Sequence, residues 1–249
     1  MASAHTGQRV YEFPLTGTMA GLLELEAVVQ TLEEARDREI AVFRHLGAER
    51  LAGHLPELAP ERLEASLIRE VRRWTGYLQD LAGRPGADSG KVGRLRVGLD
   101  QLADRLEQDW PAYYQALTED PWMSAYLSYR NGSPVIRLGP EAWAASPDGA
   151  ARLERWLDLL APVWTAGEAI LRLLRDSLHR ENLRIPREGH TLHWENQPAS
   201  GLVEVQVLGS LSLPVFESDP SGVHIGLRSA ERLSSPQEPV DAVVGWFTL

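Results

Sequence analysis

Within the segment HTLHWE, His190, His193 and Glu195 are three side chains whose types can hold a metal ion. On a strand, His190 and His193 face opposite sides while His193 and Glu195 share one. The spacing fits neither a zinc-protease helix nor a zinc finger. That geometry favours ordinary strand residues without a metal, and a small metal-dependent enzyme built on the three is the alternative. Zero cysteines remove disulfides, thiolate metal sites and cysteine nucleophiles. The chain contains no G-x-S-x-G elbow, no serine beside a convincing His/Asp arrangement and no Gly-rich phosphate loop. The acidic run ELEAVVQTLEEARDRE reads, on a helix, as a solvated face. The expectation is a protein that is not an enzyme, takes no cofactor and has no small-molecule substrate.

The aromatic residues offer different chemistry. Trp110, Tyr113, Tyr114, Trp122, Tyr126, Tyr129 and Trp143 fall close together, and packing in a core or between domains accounts for most of them. Tyr126, Tyr129 and Arg130 lie at helical spacing just before the turn RNGSP, and Arg137 follows in VIRL. Aromatic rings together with arginine have the composition of an interface hot spot, so these four residues are candidates for partner binding.

The elements that must position them fall into two regimes. Leu63, Leu67, Val71, Trp74, Leu78 and Leu81 recur at spacings of three and four, which predicts a helix with one apolar stripe. Pro60 suits its first turn, and AGRPGAD ends it. Asp88 or Ser89 caps the next helix, whose stripe is Val92, Leu95, Leu99, Leu102 and Leu106. A longer pattern carries Leu153, Trp156, Leu157, Leu160, Trp164, Leu171, Leu174 and Leu178, with Pro162 expected to kink it. These stripes are too short for an extended coiled coil, so a bundle is the reading.

The C-terminal region alternates instead. LVEVQV, GVHIGLR and VDAVVGWFTL read as strands, separated by the turn chemistry of SDPSG and SSPQEP. RVYEF before Pro14 and VIRL at 135–138 are strand-like but isolated. A lone strand cannot satisfy its backbone groups, so both are expected in the C-terminal sheet. The fold class is therefore α+β. Residues 16–188 form a helical domain, with 135–138 contributing to the sheet, and residues 9–13 plus 189–249 form a smaller, mainly antiparallel β-domain.

Bulk numbers limit the partners. With 25 basic and 35 acidic residues, the 249-residue chain carries a net charge of −10. That opposes nonspecific binding to nucleic acid or anionic membrane. No apolar run approaches the roughly 18 residues of a membrane span. MASAHTGQRV lacks the apolar core of a secretory signal, so the expected location is the cytoplasm.

The opening stretch resembles the N-terminal signature of the ZapD family, proteins that associate with the FtsZ ring in cell division. In E-x-P-L-x-E-x-M-R-x-x-L-R-x-E, the matching residues are Glu12, Pro14, Leu15, Met19, Leu23 and Glu26. RPGADSGKV and NGSPVIRLGPEAW resemble later family segments. LERWLDLLAPVWTAGEAILRLLRDS is similar to the family's long helix at Glu154, Trp156, Leu160, Pro162, Arg175 and Ser177, and Pro214 and VHIGLR resemble its last strands. The resemblance implies a helical domain plus a β-domain, a homodimer formed through the β-domain, and binding of the C-terminal tail of FtsZ so that protofilaments are cross-linked at the division site. Leu23, Glu24 and Arg228 join Tyr126, Tyr129, Arg130 and Arg137 as the partner-binding set it implies. The family's groove is basic; here Ala20 and Glu24 replace the two arginines of the opening motif, Gly17 its second acid, and Gly222 and Gly226 stand where the last strands carry arginine. A different ligand on a dimeric adaptor is the alternative.

Overall fold

The computed structural model describes residues 9–38, 40–130, 147–196, 198–208, 211–229 and 238–249. The architecture is α+β, and the chain divides into two compact units. One is Met1–Ala20 with Arg172–Leu249; the other is Gly21–Leu171.

The first unit is built from both ends of the chain. Its strands are β1 (Val10–Pro14), β2 (His179–Ile185), β3 (His190–His193), β4 (Gly201–Val207), β5 (Ser212–Asp219), β6 (Gly222–Ser229) and β7 (Val240–Thr248). They form a four-stranded sheet in the order β1-β4-β7-β2 and a three-stranded sheet in the order β3-β6-β5. All pairings are antiparallel. Alternation puts Val203, Val205, Val207 and Val244 of the larger sheet into one core with Leu192, Val223, Ile225 and Leu227 of the smaller. Stacked rings of Phe13 and Phe216, 4.9 Å apart, join β1 to β5.

The expected docking of the N-terminal strand is borne out. Val10 to Pro14 pair with Gln206 to Leu202, and the Leu15 N–H donates to the Gly201 carbonyl at 3.1 Å. Pro14 has no N–H to offer, which an edge strand tolerates. Thr16 then ends the extended run: its Oγ1 accepts from the Met19 N–H at 3.3 Å, capping α1 (Gly17–Arg38). The strand His179–Ile185 falls inside the stretch 16–188 expected to belong to the helical domain. The expected strand at 135–138 lies outside the described residues.

The second unit is helical. It holds most of α1, then α2 (Ala41–His54), α3 (Pro60–Leu63), α4 (Arg69–Ala82), α5 (Ser89–Thr118), α6 (Pro121–Arg130) and most of α7 (Pro147–Ser177). A π-helical turn, Glu64–Ile68, joins α3 to α4 without breaking the stripe, and Leu63, Leu67, Val71, Trp74 and Leu78 are all buried. Asp88 caps α5, its Oδ1 accepting from the Lys91 N–H at 2.9 Å. The α5 stripe differs from expectation: Leu95 is exposed, while Ala103 and Trp110 join Val92, Leu99 and Leu106 inside. A period of 3.6 carries Leu95 off the edge of that stripe. Trp110 is a core anchor, its indole N–H donating to the Leu58 carbonyl at 2.8 Å. Helix α7 runs on across Pro162.

One long-range pair ties the first unit together. The Arg175 guanidinium donates from Nε and Nη2 to the two Glu12 carboxylate oxygens, each at 2.7 Å. The pair is partly buried, with side-chain exposures of 31% and 18%. Fork-to-fork geometry of this kind is strong, and removing one partner costs about 1–3 kcal/mol. Glu12→Gln should therefore lower unfolding stability by that order, and a double-mutant cycle with Arg175→Met should show coupling of about 1 kcal/mol or more. Urea titration checks both; additive single effects would mean that the pair contributes nothing net.

Candidate functional site

Glu24 lies on the exposed face of α1, one turn after Ala20. Across from it, α2 presents Arg50, whose Nε donates to the Glu24 carboxylate at 3.2 Å and whose Nη1 donates to Thr31 Oγ1 at 3.2 Å. The Thr31 hydroxyl in turn donates a hydrogen bond to the Ala27 carbonyl at 2.6 Å. These contacts floor a cleft of about 530 Å³ between α1 and α2, which Leu46, Glu49, Gly53 and His54 also line. At side-chain exposures of 49% and 40%, the Glu24–Arg50 pair is a surface ion pair worth about 0–1 kcal/mol. It organises the cleft more than it stabilises the fold.

Charge in the cleft is uneven. Arg50 is committed to Glu24 and Thr31, whereas Glu49 is exposed and makes no ion pair among the described residues. His54 is buried at the C-terminal end of α2, and burial pushes its imidazole pKa below the ordinary 6.5. The cleft therefore presents a net acidic surface near neutral pH.

The other candidates are distributed as follows. Leu23 is half-buried beside Glu24 on α1. Tyr126 of α6 is 5% exposed, and its hydroxyl lies 2.7 Å from His45 Nδ1 of α2. Burial raises its phenol pKa. Tyr126 thus acts from the interior, by holding α6 to α2. Tyr129 and Arg130 occupy the last turn of α6, but their side chains, like Arg137, lie outside what is described. Arg228 is exposed on β6, opposite Leu213. Glu24 and Arg50 are brought together; Arg228 belongs to the other unit. Of the potential metal ligands, His190 and His193 sit on β3 and Glu195 just beyond it. Among the described residues no three His, Asp or Glu side chains converge.

The geometry explains one of the departures from the basic pattern that the resemblance implies. A Cβ on Gly222 would collide with the Leu192 carbonyl across the β3–β6 pairing, so no arginine fits there without moving a strand. Gly226 has only the Val215 carbonyl at 3.7 Å and imposes no such limit. At Pro121 and Trp122 the local role is structural: Asp120, buried, accepts from the Trp122 and Met123 N–H groups and from Arg152 of α7. The triplet Asp120-Pro121-Trp122 is a helix start, readable in sequence as a cap followed by proline at the first helical position. Arg50, Thr31 and His54 had no such signal, because Arg50 meets Glu24 across 26 residues of chain.

The depressed His54 pKa sets a pH dependence. The unfolded imidazole takes a proton near 6.5 and the folded one only at lower pH, so the unfolded state binds more protons as pH falls below 6.5. Stability is full above that value and declines toward the folded pKa. His54→Gln, which does not titrate, should lose less stability than the unaltered chain between neutral pH and pH of about 5.5. Urea midpoints at the two pH values decide it; equal losses would place the acid sensitivity elsewhere.

No family model matches the chain. It is similar to several curated proteins named "Cell division protein ZapD". That from Photorhabdus laumondii is 27% identical over 187 residues, covering 69% of this chain and 71% of the relative. That from Janthinobacterium sp. is 24% identical over 178 residues, covering 68% and 69%. That from Ralstonia nicotianae is 23% identical over 174 residues, again 68% and 69%. These likenesses support a divergent member of the ZapD family.

Proposed function

We propose that the chain is a non-enzymatic cell-division factor of the cytoplasm that binds FtsZ, through the FtsZ C-terminal tail, and bundles protofilaments as a homodimer at the division site. The observation that carries this reading is similarity to ZapD proteins over two thirds of the chain. The pairing of Glu12 with Arg175, two of the residues on which the family resemblance rests, is consistent with it. Among the described residues no helix is long and apolar enough to cross a membrane. Association through the β-unit is supported by its open edges. Val10 on the edge strand β1 is 51% exposed, and Leu211, just before the edge strand β5, is 67% exposed.

Affinity for a single acidic tail should be weak. Glu24 stands where the family carries arginine and already occupies Arg50, and Gly222 cannot be replaced by arginine in place. A dimer facing a filament gains about 10²–10⁴ in effective affinity when both sites engage, so assembled FtsZ should still be bundled. Glu24→Arg removes a repulsive acid and releases Arg50, and should tighten binding to an acidic tail chiefly at low salt.

Two measurements test the proposal. Co-sedimentation with assembled FtsZ should give salt-sensitive bundling, strengthened by Glu24→Arg. No pelleting at any ionic strength, for either protein, would reject FtsZ as the partner and leave the adaptor with another ligand. Light scattering at high micromolar concentration should return a dimer; a mass near 27.7 kDa would reject the two-site mechanism.

A further inference from the structure

Three of the seven large hydrophobic side chains exposed among the described residues fall between Ile40 and Leu46: Ile40 at 50%, Val42 at 62% and Leu46 at 46%. Scattered apolar residues on a surface need no explanation, but a cluster at the start of one helix does. On α2, Val42, Leu46, Glu49 and Gly53 stand at i, i+4, i+7 and i+11, which is the seam a partner helix reads. The inward face of α2 is separately satisfied by Ala48, Leu51 and Ala52, all fully buried. The exposed seam therefore opens with two apolar side chains, Val42 and Leu46, on a helix that already has its core.

Leu46, Glu49 and Gly53 of this seam also line the cleft floored by Glu24, Arg50 and Thr31, while exposed Val42 lies one turn before it on the same stripe. Its charge selects the occupant. Arg50 is engaged twice within the protein, and burial pushes the His54 pKa below its ordinary value, which opposes a positive charge there. Glu49 is the carboxylate left to pair with a ligand, in the same stripe as Val42 and Leu46. A negatively charged ligand would face Glu49 and would have to displace Glu24 from Arg50. A cation meets Glu49 directly. Gly53, which also lines the cleft, has no side chain to hold an approaching helix away.

We propose that the groove between α1 and α2 docks an amphipathic helix from another protein, its apolar stripe on Val42 and Leu46 and a lysine or arginine of the same stripe on Glu49. This goes beyond the FtsZ reading and does not rest on it, and its test contains no FtsZ.

The test uses the full chain and two designed helical peptides of about 18 residues, five turns, with identical leucine faces. One carries lysine beside that face, the other glutamate. Fluorescence anisotropy should detect binding of the lysine peptide and much weaker binding of the glutamate peptide. Val42→Ser with Leu46→Ser, both at exposed positions that leave the core intact, should weaken the lysine peptide about tenfold or more. Because the chain is acidic overall, a charge control is needed. Glu49→Lys and Glu188→Lys change net charge equally, and Glu188 lies in an exposed turn of the other unit. Glu49→Lys should weaken the lysine peptide about three- to tenfold and improve the glutamate peptide, while Glu188→Lys should stay within about twofold. Equal effects of the two lysine substitutions, or equal binding of the two peptides, would overturn the proposal. So would a Val42→Ser, Leu46→Ser protein that binds the lysine peptide normally but shows a lower mass by light scattering, because the face would then seat a second copy of this chain.

Discussion

The bidentate bond between Glu12 and Arg175 spans 163 residues, and the β-unit depends on it. Glu12 lies in the middle of the edge strand β1; Arg175 lies in the last turn of α7, where the chain leaves the helix for β2. A partly buried carboxylate on an edge strand would be costly without a partner, and an arginine there would be no better off. Joined, they hold the entry to the sheet and the exit from the longest helix at a fixed spacing. A second arginine extends the arrangement: Arg180 donates to both oxygens of Glu204 and to the Arg175 carbonyl, linking β2 to β4 across β7.

Contrast with Glu24 and Arg50 shows how burial sorts similar pairs into different roles. Both are Arg–Glu contacts between residues far apart in sequence. One is two-pronged and sheltered from water, so its loss is felt in the fold. The other has a single short contact at a solvated rim, where screening and side-chain entropy consume most of the Coulomb gain. A pair of the second kind can be exchanged without cost to the core, which is where a binding surface can change while its scaffold persists.

The sequence was most legible where periodicity and end signals agreed. The α4 stripe, the Asp88 cap and the pairing of the first strand with a strand near the other end all followed from local chemistry. The strand β2 was not legible, because HRENLRI offers the alternation rule only two residues: Ile185 is buried and Leu183 half-buried against the core, while the rest are exposed. Leu95 failed because its place in the α5 stripe is peripheral, and such positions are decided by the neighbour's width. Tyr126 was readable as an aromatic beside an arginine, but its burial is set by His45, 81 residues earlier. The cleft was invisible for a similar reason: residue types on α2 indicate two apolar faces, but not which of them α1 leaves open.

Construction of one sheet from both ends of the chain has a consequence for synthesis. Val10 pairs with Gln206, so β1 leaves the ribosome long before its partner exists. At about 5–20 residues per second, the interval is about 10–40 s. The helical unit is complete within that time, since its last residue is Leu171. Through the whole wait, Tyr11 and Phe13 have no sheet to enter, and the nascent strand is open to chaperones or to strands of neighbouring chains. Slowing of translation anywhere between the codons for β1 and β4 would prolong that exposure, while silent codon changes after β4 would leave it untouched.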